Sequence, residues 1–357
     1  MKILVASGSS GGHIYPALSF IEALKAEKKD AEVLLVLPQK NILKKENSLP
    51  CAVKYIAIRP IKLNFSFAAL ISIWRLVKSF FQVTFIFAGF RPDVAVGFGS
   101  LASLPVILLA WFFRTTTLIH EQNVLPGKAN KFLAFFSDKI AVSFQETTGY
   151  FKGKEKKVVF TGNPIRKSLI RIDRRNACIH FGLKEDKFTI LVSGGSQGSS
   201  RINEEFIKFI ALMPEKNKLQ FIHLCGGKDY SRLQGIYAGL GIEYKLFDFL
   251  EDMGYAYNSA DLIITRAGAT TITEIINFAL PAIIIPYPYA HQHQLSNARV
   301  LEKAGSAVVI NDEELSAGEL KQIILPLIDN PAGIEHMRAS YRGLSTPDAA
   351  ERLAACV

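Results

Sequence analysis

Two glycine-rich segments each follow a short apolar run and precede a helical pattern. They are residues 8–13 (Gly-Ser-Ser-Gly-Gly-His) and 194–199 (Gly-Gly-Ser-Gln-Gly-Ser). Glycine lets backbone amides approach a ligand closely, and the helix that follows offers unpaired N–H groups and a partial positive charge. Both segments therefore suit phosphate or sugar oxygens. Neither matches a Walker loop or GxGxxG, which argues against a dinucleotide site.

His13 stands at the predicted start of the first helix. A histidine there can act as a general base because its pKa lies near the working pH. A capping or hydrogen-bonding histidine is the alternative. A polar segment, His-Glu-Gln-Asn at 120–123, ends an apolar run of the same half, and we predict that it belongs to the same site.

In the second half, residues 265–271 (Thr-Arg-Ala-Gly-Ala-Thr-Thr) lead into a predicted helix that carries Glu274. Small residues and threonine hydroxyls at a helix start suit a pyrophosphate, and the Glu274 carboxylate can accept two hydrogen bonds from a ribose diol. An acid favourably placed near a helix N-terminus is the alternative for Glu274. Gln294 and Asn297 can bind sugar hydroxyls through their amides.

We expect no required cofactor. The four cysteines are far apart and form no CxxC pair, and the sequence contains no Asp-x-Asp. His291 and His293 are two residues apart, so they would not share a helix face as a metal pair. Reduced cysteines in a cytosolic protein are the simplest interpretation.

Apolar runs that alternate with helical patterns predict an α/β protein with two parallel sheets, each covered by helices on both faces. The first-half strands are predicted at 3–7, 33–37, 94–96, 116–120, 139–142 and 158–160. The second-half strands are predicted at 189–193, 219–224, 244–247, 262–265, 282–285 and 307–310. Gly162-Asn163-Pro164 lies between the two cycles, so we predict domains at 1–161 and 162–339. A C-terminal helix at about 340–357 can pack back on the first domain.

The net charge of +10 is unevenly distributed. Residues 1–160 contain 21 Lys+Arg and 10 Asp+Glu, whereas residues 161–357 contain 21 and 22. The basic first half indicates an anionic partner there, either nucleic acid, acidic lipid or a phosphorylated substrate. A solvated basic surface is the alternative. No nucleic-acid-binding motif is present, so we expect no nucleic-acid partner.

Taken together, the motifs resemble those of the MurG family. They run in the family's order from about residue 3 to 306: Gly-Gly-His (11–13), His-Glu-Gln-Asn (120–123), Gly-Asn-Pro-Ile-Arg (162–166), Gly-Gly-Ser-Gln-Gly (194–198), Phe-Leu-Glu-Asp-Met (249–253), Thr-Arg-x-Gly-Ala-x-Thr-x-x-Glu (265–274) and His-Gln-x-x-Asn-Ala (293–298). The resemblance implies a GT-B glycosyltransferase, with two Rossmann-like doubly wound domains facing across a cleft. It also implies inverting transfer of N-acetylglucosamine from UDP-N-acetylglucosamine to the 4-hydroxyl of N-acetylmuramic acid in undecaprenyl-pyrophosphoryl-muramyl-pentapeptide, which converts lipid I to lipid II.

The resemblance also implies roles for individual residues. His13 would be the base for the acceptor hydroxyl, Glu274 would hold the ribose, and the Leu250 backbone would bind uracil. The other implied substrate contacts are Ser10, Gly11, Gly12, Asn123, Arg166, Ser196, Ala269, Thr270, Thr271, Ile272, Thr273 and Gln294. Ser100 and Leu101 replace the Gly and Tyr of the family's Gly-Gly-Tyr loop, so the resemblance does not determine which residues of loop 97–103 contact the acceptor.

A lipid-linked acceptor requires contact with a bilayer, and residues 65–90 offer an apolar helix. Arg75, Lys78 and Gln82 interrupt it, and the apolar stretch 101–113 is too short, so we predict that neither spans the membrane. Apolar residues at helical spacing with basic neighbours suit a helix lying on anionic lipid, extended by Trp111 and Phe112. The predicted membrane residues are Ile73, Trp74, Val77, Phe80 and Phe81. An ordinary core-facing helix is the alternative.

The expected partners are UDP-N-acetylglucosamine, the undecaprenyl-linked muramyl-pentapeptide, an anionic membrane surface and other cell-wall synthesis proteins. The expected location is peripheral, on the cytoplasmic face of the bacterial inner membrane. Three alternatives share parts of the pattern: a UDP-sugar:diacylglycerol glycosyltransferase, a UDP-N-acetylglucosamine 2-epimerase and a non-catalytic sugar-nucleotide-binding subunit. The epimerase would carry acidic catalytic residues, for which Glu121 is the candidate.

Overall fold

The computed structural model describes residues 1–38, 49–58, 67–195, 197–290 and 292–357, with side chains described from residue 71 onward in the helix that begins at Phe67. The chain divides into two compact units. The first is Met1–Arg166 together with Thr346–Val357, and the second is Lys167–Ser345. The boundary therefore follows Arg166 rather than residue 161, and the predicted hinge Gly162-Asn163-Pro164 belongs to the first unit.

The described residues of the first unit form a parallel sheet flanked by helices. Its strands are β1 (Lys2–Ser7), β2 (Glu32–Pro38), β3 (Ala52–Ile56), β4 (Val94–Phe98), β5 (Thr116–Glu121), β6 (Lys139–Val142) and β7 (Val158–Phe160), in the order β3-β2-β1-β4-β5-β6-β7. Its helices before the boundary are α1 (Gly11–Glu27), α2 (Phe67–Phe90), α3 (Ser103–Phe112) and α4 (Lys128–Leu133).

Alternate residues of β1 point to opposite faces of this sheet, as the period of a strand requires. Ile3 and Val5 pack against α1, and Leu4 and Ala6 lie in the core that α2 and α3 cover. All four side chains are fully buried. A strand buried on both faces must be apolar throughout, which is why these strands appear in the sequence as continuous apolar runs.

The second unit repeats this plan with its own sheet. Its strands are β8 (Phe188–Ser193), β9 (Leu219–Leu224), β10 (Glu243–Phe247), β11 (Leu262–Thr265), β12 (Ala282–Ile284) and β13 (Ala307–Val309), in the order β10-β9-β8-β11-β12-β13, with parallel pairing throughout. Its helices are α5 (Arg174–Phe181), α6 (Ser200–Leu212), α7 (Tyr230–Ala238), α8 (Met253–Ser259), α9 (Ala269–Phe278), α10 (His293–Ala304), α11 (Ala317–Asp329) and α12 (Pro331–Ala339).

The C-terminal segment contributes to both units. Helix α12 belongs to the second unit, whereas the last helix, α13 (Ala349–Ala354), belongs to the first. Leu353 and Ala354 are fully buried in the core that contains α1. The chain therefore changes unit after Ser345, and the first residues of the predicted C-terminal helix stay with the second unit.

The predicted fold class, two parallel and doubly wound α/β units, is confirmed. The strand β3 was not predicted. Among the strands that the structure describes, it pairs with β2 alone. Its exposure alternates along the strand, and Lys54 interrupts its apolar residues. An edge strand of this kind lacks the continuous apolar run that identifies the central strands.

Two glycines with positive φ provide a test of how tightly the second unit is packed. A β-carbon at Gly198 (φ +75°) would lie 2.1 Å from the carbonyl oxygen of Cys225, whereas one at Gly343 (φ +84°) would meet no atom within 4 Å. We expect Gly343→Ala to cost about 1–2 kcal/mol of unfolding free energy through backbone strain alone. Gly198→Ala should cost about 3 kcal/mol or more, because it adds an overlap with backbone.

Urea denaturation followed by circular dichroism measures both losses. Equal losses for the two variants would contradict the close approach of the loops that follow β8 and β9.

Candidate functional site

Each sheet has one winding reversal, the topological switch point at which the strand order along the sheet changes direction. In the first unit this position lies between β1 and β4, and in the second it lies between β8 and β11. Ligands of doubly wound sheets bind beyond the carboxyl ends of the strands at such a position. Both predicted glycine-rich loops follow the strands concerned, residues 8–10 after β1 and 194–199 after β8.

The His13 ring lies against glycines of two loops in the first unit. A β-carbon at Gly8 would lie 2.8 Å from His13 Cδ2 and 2.7 Å from Ser100 Cβ, and one at Gly99 would lie 3.3 Å from His13 Cε1. The loops after β1 and β4 therefore close around the ring. Ser100 itself has φ +65°, a left-handed conformation that glycine adopts without strain. This explains why a glycine in that loop, as in the family pattern, would fit the backbone.

A buried polar chain connects His13 to the end of β5. The Nδ1 atom of His13 lies 3.0 Å from Oε1 of Gln122, and Nε2 of Gln122 lies 3.0 Å from Nδ1 of His120. Burial lowers the pKa of His13 against the opposing effects of the Gln122 hydrogen bond, the nearby Glu121 charge and the Phe98 carbonyl. Burial also lowers the pKa of His120 to about 4. Both imidazoles are therefore neutral near pH 7.

Glu121 holds the loop that follows β5. Its buried carboxylate accepts hydrogen bonds from the backbone N–H groups of Asn123 (2.9 Å) and Gly127 (3.0 Å). It also accepts from the side-chain amides of Asn123 (3.2 Å) and Asn130 (2.8 Å). A carboxylate that accepts four hydrogen bonds has a structural role. Glu121 therefore positions Asn123.

Two other first-unit predictions are placed as follows. Ser10, Gly11 and Gly12 form the start of α1, where the Ser10 carbonyl accepts the first helical hydrogen bonds. The predicted domain boundary places Arg166 in the second domain, but the structure places it in the first unit, where its guanidinium lies 4.5 Å from the ring of Tyr15. Tyr15 was not singled out in the sequence, because its place beside Arg166 depends on a long-range contact.

One buried guanidinium ties together three loops of the second unit. Arg266 donates to the Ser199 hydroxyl (2.8 Å), the Ile285 carbonyl (3.1 Å) and the Asp312 carboxylate (2.5 Å). These partners lie after β8, β12 and β13. Arg266, which directly follows β11, therefore links the loops that follow β8, β12 and β13. Ser196, one of the predicted contacts, lies outside the described residues.

Helix α9 begins three residues after Arg266, and its first turn contains no acidic residue. Gly268 caps the helix, and the first turns of α6 and α9, both fully described, contain no acidic residue. Such helix starts favour an anion. Ile272, however, is fully buried and its N–H donates to the Gly268 carbonyl, so the structure turns it into the core. Thr273 directs its hydroxyl to the Ala269 carbonyl at 2.9 Å.

Glu274 is buried on α9, and the Tyr257 hydroxyl donates to its Oε2 at 2.7 Å. Tyr257 lies on α8, directly after the loop that contains the half-buried Leu250. The sequence did not identify Tyr257 as a site residue. The only indication in the sequence is that Tyr257 lies one helical turn beyond Met253, the last residue of the 249–253 motif. Nothing in the sequence shows that this turn packs against α9.

Gln294 joins two loops through a single oxygen. Its Oε1 accepts from the backbone N–H groups of Ala267 (3.1 Å) and Tyr287 (2.9 Å). The amide nitrogen is thus the group that Gln294 can present to a sugar hydroxyl. Asn297 is fully buried and donates to the Ala267 carbonyl at 3.1 Å, so it supports the loop rather than lining an open surface.

Across the described part of the chain, no group of three or more His, Cys, Asp or Glu side chains is assembled that could hold a metal ion. The donor groups at both winding reversals are backbone amides, hydroxyls, side-chain amides and imidazole. These groups suit the oxygens of a phosphorylated sugar.

Family models match both units. Residues 3–142 match the glycosyltransferase family 28 N-terminal domain, and residues 189–353 match the corresponding C-terminal domain. The crystal structure of MurG from Acinetobacter baumannii superposes with a TM-score of 0.77 at 25% identity, covering 100% of this chain and 99% of that one. A putative UDP-N-acetylglucosamine 2-epimerase from Listeria monocytogenes superposes with a TM-score of 0.73, covering 99% and 95% of the two chains, but at 14% identity it shows similarity of fold alone.

Sequence relatives extend over nearly the whole chain. The UDP-N-acetylglucosamine–N-acetylmuramyl-(pentapeptide) pyrophosphoryl-undecaprenol N-acetylglucosamine transferase of Halothermothrix orenii is 38% identical, covering 97% of this chain and 95% of its own. The enzyme of the same name from Thermoanaerobacter sp. is 37% identical, covering 99% and 98%. The chain belongs to this family, the MurG glycosyltransferases.

Proposed function

We propose that this chain transfers N-acetylglucosamine from UDP-N-acetylglucosamine to the 4-hydroxyl of N-acetylmuramic acid in undecaprenyl-pyrophosphoryl-muramyl-pentapeptide, with inversion at the anomeric carbon. The observation that carries the proposal is the similarity, over almost the full length, to enzymes named for this reaction. The residues singled out in the sequence at the two winding reversals support it, because they supply a neutral imidazole in one unit and anion-binding helix starts in the other.

His13 is the proposed general base. Its Nε2 takes the proton of the acceptor hydroxyl as that oxygen attacks C1 of the donor sugar, and the bond from C1 to the UDP oxygen breaks. The neutral state of the ring near pH 7 supports this role, since a base must be unprotonated before the reaction. Ser10, Gly11, Gly12 and Asn123 would bind substrate oxygens beside it.

The second unit is proposed to hold the nucleotide. The starts of α6 and α9 would stabilise the charge that grows on the departing pyrophosphate, through preorganised backbone N–H groups. The Glu274 carboxylate would accept hydrogen bonds from the ribose hydroxyls, with Tyr257 fixing its orientation at 2.7 Å. The Leu250 backbone would bind uracil, Gln294 would donate to the sugar, and no metal is required in this scheme.

The 2-epimerase alternative has weaker support. Such an enzyme would use an acidic catalytic residue, and the candidate was Glu121. Four hydrogen-bond donors occupy the Glu121 carboxylate. These hydrogen bonds commit the carboxylate to holding the loop of residues 123–130.

A membrane surface is proposed for α2. Ile73, Trp74, Val77 and Phe81 are exposed, and Phe85 extends the same stripe; Phe80 is half-buried. Lys78 lies 5.2 Å from the Trp74 ring, which places a cation beside the stripe. Trp111 and Phe112 on α3 are exposed as well, and Phe113 stacks on Phe87 of α2 at 5.9 Å.

By length and composition alone, Ile71–Phe90 could cross a bilayer. Its opposite face, however, belongs to the first unit's core, where Val83 and Phe87 are buried and Gln82 accepts from the Ala57 N–H at 2.8 Å. A helix attached in this way favours lying in the membrane interface. The proposed location is therefore peripheral, on the cytoplasmic face of the inner membrane, where other cell-wall synthesis proteins would be neighbours.

A product assay tests the reaction. We expect the purified protein, given labelled UDP-N-acetylglucosamine and a soluble lipid I analogue, to form a β-linked disaccharide and release UDP. UDP release without transfer to the acceptor, or an epimerised donor, would contradict the proposal.

Replacement of the base tests the mechanism. His13→Gln should lower kcat by about 10²–10⁴-fold while the KM for UDP-N-acetylglucosamine changes little. Because burial lowers the pKa of His13, the acid limb of the wild-type kcat/KM profile should lie below that expected for an ordinary histidine, whose pKa is about 6.5. The exposed His336 provides the matched control, and His336→Gln should retain wild-type kcat. Near-wild-type kcat in His13→Gln would refute the assignment.

Charge placed on the apolar stripe tests membrane contact. In flotation with vesicles containing anionic lipid, Trp74→Glu/Phe81→Glu protein should bind at least about tenfold more weakly, since two large apolar side chains no longer enter the interface. Ile170→Glu/Ile179→Glu, which changes two exposed apolar residues of the second unit, is the matched control and should bind like wild type. Undiminished binding by the first variant would place the contact elsewhere.

A further inference from the structure

A buried chain of hydrogen bonds runs from Gly162 through His120 and Gln122 to His13, and donors and acceptors alternate along it. At its far end, the carbonyl oxygen of Gly162 lies 3.1 Å from Nε2 of His120. A carbonyl oxygen only accepts, so Nε2 of His120 must carry the proton. Ser143 agrees with this direction: its hydroxyl donates to the Glu121 carbonyl at 2.8 Å and so presents a lone pair to the same nitrogen at 3.4 Å.

The second link follows from the neutral state of His120. Its pKa of about 4 leaves one proton on the ring near pH 7, so Nδ1 has a lone pair and needs a donor. The amide nitrogen of Gln122 supplies it at 3.0 Å, and the same nitrogen donates to the His120 carbonyl at 3.1 Å. A flipped amide would set its oxygen against that carbonyl oxygen, so the orientation of Gln122 is determined by its surroundings.

The third link reaches His13. With its nitrogen committed to His120, Gln122 presents Oε1 to Nδ1 of His13 at 3.0 Å. An amide oxygen accepts, so Nδ1 of His13 donates. We infer that Gln122 and His120 are positioning residues that hold His13 as the Nδ1–H tautomer, which leaves the lone pair on Nε2. This inference rests on the proposed function in one respect only, namely that Nε2 receives the acceptor proton.

The anchor of this hydrogen-bonded chain, Gly162, is closely packed. Gly162 has φ +78°, and a β-carbon there would lie 2.7 Å from Cβ of Thr346 and 3.0 Å from Cβ of Ala349. His120 and Gln122 are almost completely buried. The C-terminal segment, which returns to the first unit at Thr346, thus packs directly against the residue whose carbonyl accepts from His120. In a Ser-His-Asp triad a carboxylate orients the histidine. Here the neutral amide of Gln122 does so without adding charge.

The tautomer of His13 can be measured by NMR, without an activity assay. In ¹⁵N-histidine-labelled unliganded protein at pH 8, with His13 signals assigned by their loss in His13→Gln, we expect a protonated Nδ1 and an unprotonated Nε2. In Gln122→Met the Nε2–H form should become populated, and kcat should fall by about tenfold to 10⁴-fold with little change in the KM for UDP-N-acetylglucosamine. Gln234→Met, which changes an exposed glutamine on α7 of the second unit, should leave the tautomer and kcat unchanged.

A second variant, Gln122→Glu, tests the same inference if Gln122→Met destabilises the fold. Gln122→Glu can still accept from Nδ1 of His13, so the tautomer should persist. The added carboxylate, together with Glu121, should raise the His13 pKa and move the acid limb of kcat/KM upward by about one pH unit or more. The other titratable group that faces His13, His120, is neutral in this range.

Each outcome decides a separate question. An Nε2–H tautomer in wild type, or an unchanged tautomer in Gln122→Met, would overturn the inference. If the tautomer changes as expected but both Gln122→Met and His13→Gln retain kcat, the inference stands and the proposed base role of His13 fails.

Discussion

Hydrogen bonds to one buried ionic group in each unit hold the loops on which the candidate chemistry depends. Glu121 gathers four donors from residues 123–130 in the first unit, and Arg266 joins three loop ends in the second. A buried charge is tolerated only while its partners remain in place, so movement of a loop would leave that charge unpaired. The loops are therefore preorganised before any substrate arrives.

The two units offer different physical means of attracting an anionic partner. The first half of the chain carries the excess of lysine and arginine, and cations such as Lys78 adjoin the exposed apolar stripe of α2. The second half is close to neutral, yet it presents acid-free helix starts at its winding reversal. Backbone dipoles can bind a pyrophosphate without net charge. The uneven charge is thus consistent with lipid on one unit and nucleotide on the other.

Several features were predictable because they depend on local patterns. Continuous apolar runs identified the central strands, and the glycine-rich loops fell at the winding reversals because these loops follow β1 and β8. Other features were not predictable. The edge strand β3 lacks a distinctive run, Arg166 lies with the first unit, and Ile272 points into the core. Tyr257 reaches Glu274 only because α8 and α9 pack together.

The sequence by itself determined the two doubly wound units, the loops at the carboxyl ends of their strands and the residue types available for chemistry, because strand and helix periodicities are local properties. Only the tertiary structure decided which of those side chains meet. His13 and Gln122 are separated by 109 positions, and Gly162 lies farther still along the chain. A hydrogen bond requires placement within a few tenths of an ångström, and that placement comes from the packing of distant elements, which spacing along the chain does not encode.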